Sequence, residues 1–236
     1  MAHGNTSQTT ARKLLPIAAA IIVIIVAGTF AVMNSNKKGA DKAGVSVEEA
    51  TKAREKGLEF YKKGEWDSAL VEFEKAVEGN PKDLYAQTQL AYAYERKGEL
   101  DKAFKQYEAI LKINKESADA HYNMGRILVQ KKELDKAIAE LETAAEMNPN
   151  FTAARADLAR AYVEKEEFNK ALGTYGELEK IISNDAYYLS RIYSAKGNIY
   201  KQLGQRANAK AMFTKALELD SNNKEGQVGL SGLAGD

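Results

Sequence analysis

Small and large apolar residues recur between residues 50 and 223 at a spacing no single amphipathic helix produces. Ala69, Ala103, Ala137, Ala171 and Ala209 share one slot of a repeating unit of about 34 residues. On that period the units begin at Ala50, Leu84, Ala118, Thr152 and Ser190. Their eighth slot holds Gly57, Ala91, Gly125, Ala159 and Gly197, all small, as two closely approaching helices require. The eleventh slot (Phe60, Tyr94, Leu128, Tyr162, Tyr200) and the twenty-fourth (Phe73, Tyr107, Leu141, Tyr175, Phe213) place large groups on both helices, to fill neighbouring units. Between them Gly64, Gly98, Lys132, Glu166 and Gly204 mark a turn where positive φ ends the first helix. Pro81 and Pro149 fall near unit ends, where a fixed φ and a missing amide hydrogen stop the second. Each unit is predicted to be a helical hairpin.

The first unit carries Gly57, Phe60, Gly64, Trp66, Ala69, Phe73, Ala76 and Pro81, and on these positions the chain resembles the tetratricopeptide repeat family over residues 50–223. The resemblance implies an all-α fold, a right-handed α-solenoid of about five hairpins at 50–83, 84–117, 118–151, 152–185 and 190–223, within a repeat domain at 47–223. Ile110 and Leu178 depart from the small residue found as Ala76, Ala144 and Ala216, and Lys115 and Ser221 stand where proline is usual. Between the fourth and fifth units the register slips by Ala186–Leu189, about one helical turn, which predicts longer helices and a changed pitch. Ser46 with Glu49 reads as a capping box opening the first helix. Residues 224–236 read as a terminal cap or frayed tail, since Gly226, Gly229, Gly232 and Gly235 weaken a helix there.

Residues 14–33 contain no charge, and as a helix would span about 30 Å, the hydrocarbon thickness of a bilayer. They predict a single-pass anchor between an N-terminal tail at 1–13 and a polar, glycine-containing linker at 34–46. The alternative is a cleaved signal, but the apolar block from Ile17 to Val32 exceeds the usual core and the site after Ala31 is mediocre. Arg12 and Lys13 nearly balance Lys37, Lys38 and Lys42, so charge bias gives no clear sidedness. The short tail favours a signal anchor with extracytoplasmic repeats.

The chain holds 34 basic and 33 acidic residues. Setting aside Arg12, Lys13, Lys37, Lys38, Lys42 and Asp41 leaves 29 against 32, a near-neutral body that disfavours binding to a nucleic-acid backbone. With no cysteine there is no disulfide or thiolate chemistry. His121 stands apart from any second histidine in the repeats, and no phosphate-binding glycine loop occurs, so neither a metal, a cofactor nor an enzymatic activity is expected.

Function then falls to a surface. In the family this chain resembles, the first helix of each hairpin lines a concave groove that holds a partner segment. The matching slots here supply Arg54, Tyr61, Tyr85, Tyr92, Arg96, Tyr122, Arg126, Arg160, Arg191 and Asn198. Tyrosine and arginine are enriched at binding hot spots, and an acidic or carboxylate-bearing protein segment is their natural complement. Arg126 and Arg160 share a slot one repeat apart, which predicts a ladder, although Glu95, Asp119 and Glu164 are candidate internal partners. The chain is expected to be a membrane-tethered scaffold or adaptor; the alternatives are a structural subunit of a membrane complex and a released periplasmic binder.

Overall fold

The computed structural model describes residues 44–234; the expected anchor at 14–33 and the N-terminal tail lie outside them. Among the described residues there are eleven helices and no strand. The first helices of the hairpins are α1 (Val47–Lys63), α3 (Leu84–Lys97), α5 (Ala118–Gln130), α7 (Thr152–Glu164) and α9 (Ala186–Gln202). Their partners are α2 (Trp66–Gly79), α4 (Leu100–Ile113), α6 (Leu134–Met147), α8 (Phe168–Ile181) and α10 (Arg206–Leu219), followed by α11 (Lys224–Ala234). No helix among the described residues is long and apolar enough to cross a membrane. The chain divides into two compact bodies, with the boundary between Ala86 and Gln87.

In the N-terminal body the capping box closes as expected. The Ser46 hydroxyl accepts from the Glu49 amide at 3.2 Å, and the Glu49 carboxylate accepts from the Ser46 amide at 2.9 Å. The Ser46 amide, and then its hydroxyl, donate to the Glu49 carboxylate and hold its pKa below the ordinary value. Gly57 faces the Phe73 ring so closely that a Cβ would lie 2.6 Å from it. The small slot therefore seats the large one of the same hairpin.

The same pairing recurs in the C-terminal body. A Cβ on Gly125 would lie 2.7 Å from Leu141, and one on Gly197 would lie 2.6 Å from Phe213. Ala103, Ala137, Ala171 and Ala209 are all fully buried. Turn positions adopt positive φ whether glycine (Gly98, Gly204) or not, with Lys132 and Glu166 both at 62°. The four inserted residues lengthen α9, which has 17 residues against 13 in α5 and α7.

A charge pattern threads the turns. Asp101 pairs with Lys131 at 2.7 Å and Asp135 with Lys165 at 2.6 Å, so each lysine reaches back from its turn to the preceding hairpin. Lys165 also binds Glu167 at 2.6 Å. These contacts lower the pKa of Asp101 and Glu167 and raise that of Lys131 and Lys165, while Glu133 is lowered first by Lys136 at 2.7 Å. The pattern stops where Asn169, Leu203, Gln205 and Ala207 replace charged residues.

The last hairpin is closed by α11. Arg206 stands in the slot that carries Leu100, Leu134 and Phe168 in preceding repeats, and it donates to the Leu233 carbonyl near the C-terminal end of α11. A positive group at that end meets the negative pole of the helix dipole and is stabilising. At the N-terminal end of α11 Asn223 donates to the Ser190 hydroxyl at 2.6 Å and accepts from the Ser194 hydroxyl at 3.1 Å and from the Gly226 amide at 2.8 Å. The Ser190 hydroxyl donates onward to the Ala216 carbonyl at 2.8 Å. All the polar groups of this buried set are paired, which binds α9, α10 and α11 together.

Helix α8 contains two glycines, Gly173 and Gly176, with no packing role: a Cβ at either would meet nothing within 4 Å. Glycine inside a helix costs about 0.5–1 kcal/mol relative to alanine. Gly173→Ala and Gly176→Ala are each expected to stabilise the protein by about that amount, read as a rise in thermal midpoint. A fall would show that something presses on this face.

Candidate binding surface

In the N-terminal body, Arg54 pairs with Asp83 at 2.6 Å and lies over the Tyr85 ring at 5.7 Å. Asp83 also accepts from the amides of Tyr85 and Ala86, each at 3.0 Å, so one carboxylate starts α3 and holds the arginine. Tyr85 is exposed. Tyr61 is absorbed into the hairpin, edge-on to Trp66 at 5.0 Å and beside Phe73 at 6.4 Å.

In the C-terminal body Tyr92 and Tyr122 flank Arg126, which faces a carboxylate. The Tyr107 hydroxyl donates to Glu95 at 2.6 Å, and the other Glu95 oxygen lies 3.6 Å from Arg126. Arg126 donates to the Asn123 side-chain oxygen at 3.0 Å, and Asn123 donates to the Asp119 carbonyl at 2.9 Å. The Arg126 guanidinium stacks over Tyr122 at 5.6 Å, whose ring packs on Phe151 at 4.9 Å. Arg126 is 37% exposed and Glu95 only 13%, so the arginine covers the acid and keeps part of its edge in water. Burial, then the Glu95 carboxylate, drives the Tyr107 pKa upward. Burial also raises that of Tyr92, against a hydrogen bond from Asn123 that lowers it.

The other sequence candidates are not drawn into this cluster. Arg160 binds Asp157 of its own helix, so Arg126 and Arg160 answer to different carboxylates. Arg96 is exposed near the end of α3, and Arg191 and Asn198 are exposed on α9. Arg191 donates to the Tyr187 hydroxyl at 3.4 Å. His121 contacts Glu140 at 2.6 Å, and among the described residues no group of three or more potential metal ligands comes together.

Sequence reading named Glu95 among the candidate partners of the arginines and passed over Arg155, Tyr187 and Tyr188. Glu95 is the sole carboxylate in a slot that elsewhere holds Tyr61, Val129, Val163 and Lys201, which is the signal that marks it. Arg155 binds Glu177 at 2.8 Å and the carbonyls of Pro149 and Ala145, stapling one hairpin to the next. Tyr187 and Tyr188 lie in the insertion, outside the aligned slots.

Paired helices with a small-residue seam and a polar rim define a helical repeat array that presents side chains from its first helices. Tetratricopeptide repeat models match residues 54–120, 96–150, 132–192 and 190–223. The chain belongs to the tetratricopeptide repeat family. Among solved structures, a MamA protein is 25% identical, with a TM-score of 0.68 over 74% of this chain and 93% of that one. YrrB, described as a tetratricopeptide repeat protein with an unusual peptide-binding site, is 21% identical, with a TM-score of 0.63 over 75% of this chain and 89% of that one. A tetratricopeptide repeat protein from Parabacteroides merdae is 17% identical, with a TM-score of 0.70 over 79% of this chain and 72% of that one. The last two likenesses concern the fold alone. Comparison with curated proteins gave no match.

Proposed function

We propose that this chain is a membrane-tethered tetratricopeptide repeat scaffold that holds a segment of a partner protein against the first helices of its hairpins. The observation that carries the reading is the Tyr92, Tyr122 and Arg126 cluster. Its rings are fixed from below by Phe151 and Tyr107, while the guanidinium stays partly in water. Rigid aromatic faces beside an oriented guanidinium suit recognition of a peptide bearing carboxylates. Likeness to proteins such as YrrB agrees with peptide binding.

The uncharged run at 14–33 supports tethering, which raises the local concentration of a membrane or envelope complex and so aids its assembly. The repeats lie on the extracytoplasmic side in this reading. The protein acts by binding and not by catalysis. Photo-crosslinking from the repeat domain in native membranes tests it. Partner adducts are expected to vanish in Tyr92→Ala/Arg126→Gln with helical circular dichroism unchanged, and the protein should wash off membranes when 14–33 is made polar. Undiminished adducts in the double variant would remove the groove from the proposal.

A further inference from the structure

The exposed face of α9 differs in kind from those of the other first helices in the C-terminal body. Arg126 and Arg160 already face resident acids, Glu95 and Asp157. Helix α9 contains no Asp or Glu. At 100° per residue, Tyr187, Tyr188, Arg191, Asn198 and Gln202 fall within an arc of about 100°, and all five are exposed. Lys201 flanks them, also exposed.

The two tyrosines are 54% and 57% exposed and meet edge to face at 5.4 Å. Arg191 lies over the Tyr187 ring at 5.9 Å and is bound to its hydroxyl, a neutral group. Glu225 acts on Arg191 only through space, behind the tyrosine hydroxyl in effect. Tyr187 and Tyr188 belong to the inserted turn, so no packing slot of the repeat calls for them. The fifth repeat sets Arg191, Lys196, Lys201, Arg206, Lys210 and Lys215 against only Glu218 and Asp220.

We propose that this face of α9 docks an acidic peptide segment that carries an aromatic or aliphatic side chain next to its carboxylates. The inference rests on the scaffold reading and adds, beyond the Tyr92, Tyr122 and Arg126 cluster, a second point of capture with its own chemistry. Two rigid rings gain contact area at little entropic cost, and a guanidinium fork beside them matches a carboxylate in bidentate geometry. A cation that faces a phenol gives up no ion pair to bind an acid, whereas Arg160 would have to release Asp157. Nucleic acid is the poorer fit, because the repeat body lacks the basic excess that phosphate binding needs.

Fluorescence anisotropy on the full-length protein in detergent tests this with the labelled peptide Asp-Glu-Phe-Asp-Glu-Leu and its neutral counterpart Asn-Gln-Phe-Asn-Gln-Leu. The acidic peptide is expected to bind at least about tenfold more tightly, and to weaken as salt rises. Arg191→Glu and Tyr187→Ala/Tyr188→Ala should each weaken it by about tenfold or more, and Arg160→Glu by no more than about twofold. All these positions are exposed, and unchanged helical content confirms folding. Loss of binding with Arg126→Gln but not with Arg191→Glu would overturn the α9 site and leave the scaffold reading standing. Equal binding of both peptides would overturn it too, as would Arg191-dependent binding of phosphatidylserine vesicles or oligothymidylate without peptide binding. Loss of peptide binding together with loss of the membrane crosslinks would defeat both readings.

Discussion

Replacing Phe213 by alanine is expected to cost about 3–5 kcal/mol, the range for emptying a fully buried aromatic site. The ring is wholly inaccessible, and two glycines from different helices close on it. A Cβ at Gly197 on α9 would lie 2.6 Å from it, and one at Gly229 on α11 only 2.3 Å. The ring therefore joins three helices, and its loss should also free amides of α11 to exchange. Gly229→Ala alone is expected to destabilise by about 1–3 kcal/mol through overpacking. In the Phe213→Ala background the same methyl should be neutral or favourable, because the space it needs has been vacated. Thermal or denaturant unfolding of the four species gives the coupling directly. Additive losses would show that the ring and the glycine do not share one space.

Stability should fall steeply above about pH 10, the ordinary tyrosine range. Tyr107, Tyr162 and Tyr175 all have pKa values raised above 10.0, with burial as the largest cause. Tyr107 and Tyr162 also donate to the carboxylates of Glu95 and Glu142, next to which a phenolate would be repelled. A group whose pKa is higher in the folded state contributes stability that is whole below its unfolded value and is lost as pH rises through the folded one. These three phenols should stay protonated until the hairpins open, so phenolate absorbance should rise together with loss of helical signal. Tyr107→Phe should flatten the pH slope, while costing about 1–3 kcal/mol at neutral pH by leaving Glu95 short of a donor. Smooth titration of every tyrosine near pH 10 in a folded chain would contradict this assignment.

The repeat was legible because its signals are local and periodic. Small residues at 57, 125 and 197 and large ones at 73, 141 and 213 announce a hairpin seam, and the structure presses each pair together. The extra turn at Ala186–Leu189 shows as added length in α9. Internal pairing was less visible, because it joins residues almost one repeat apart: Lys131 to Asp101 across 30 positions and Lys132 to Glu164 across 32. Whether Arg126 faces Glu95, Asp119 or water depends on how side chains lean across a seam, which spacing does not encode. Propensity also registers Gly229 only as a helix weakness, whereas in place it is the recess that admits Phe213.

The left-handed turns at Lys132 and Glu166 bear on how such arrays diversify. Glycine there would relieve about 1–2 kcal/mol of backbone strain, offset in part by an enlarged unfolded ensemble that costs about 0.4–1 kcal/mol. The balance still favours glycine, but by only about 1 kcal/mol, a penalty small enough for a folded array to carry. A corner that tolerates this penalty can acquire charge, as Lys132 has done by reaching Glu164 at 2.5 Å. Drift at these corners can thus rewrite the electrostatic edge of the array without touching its architecture.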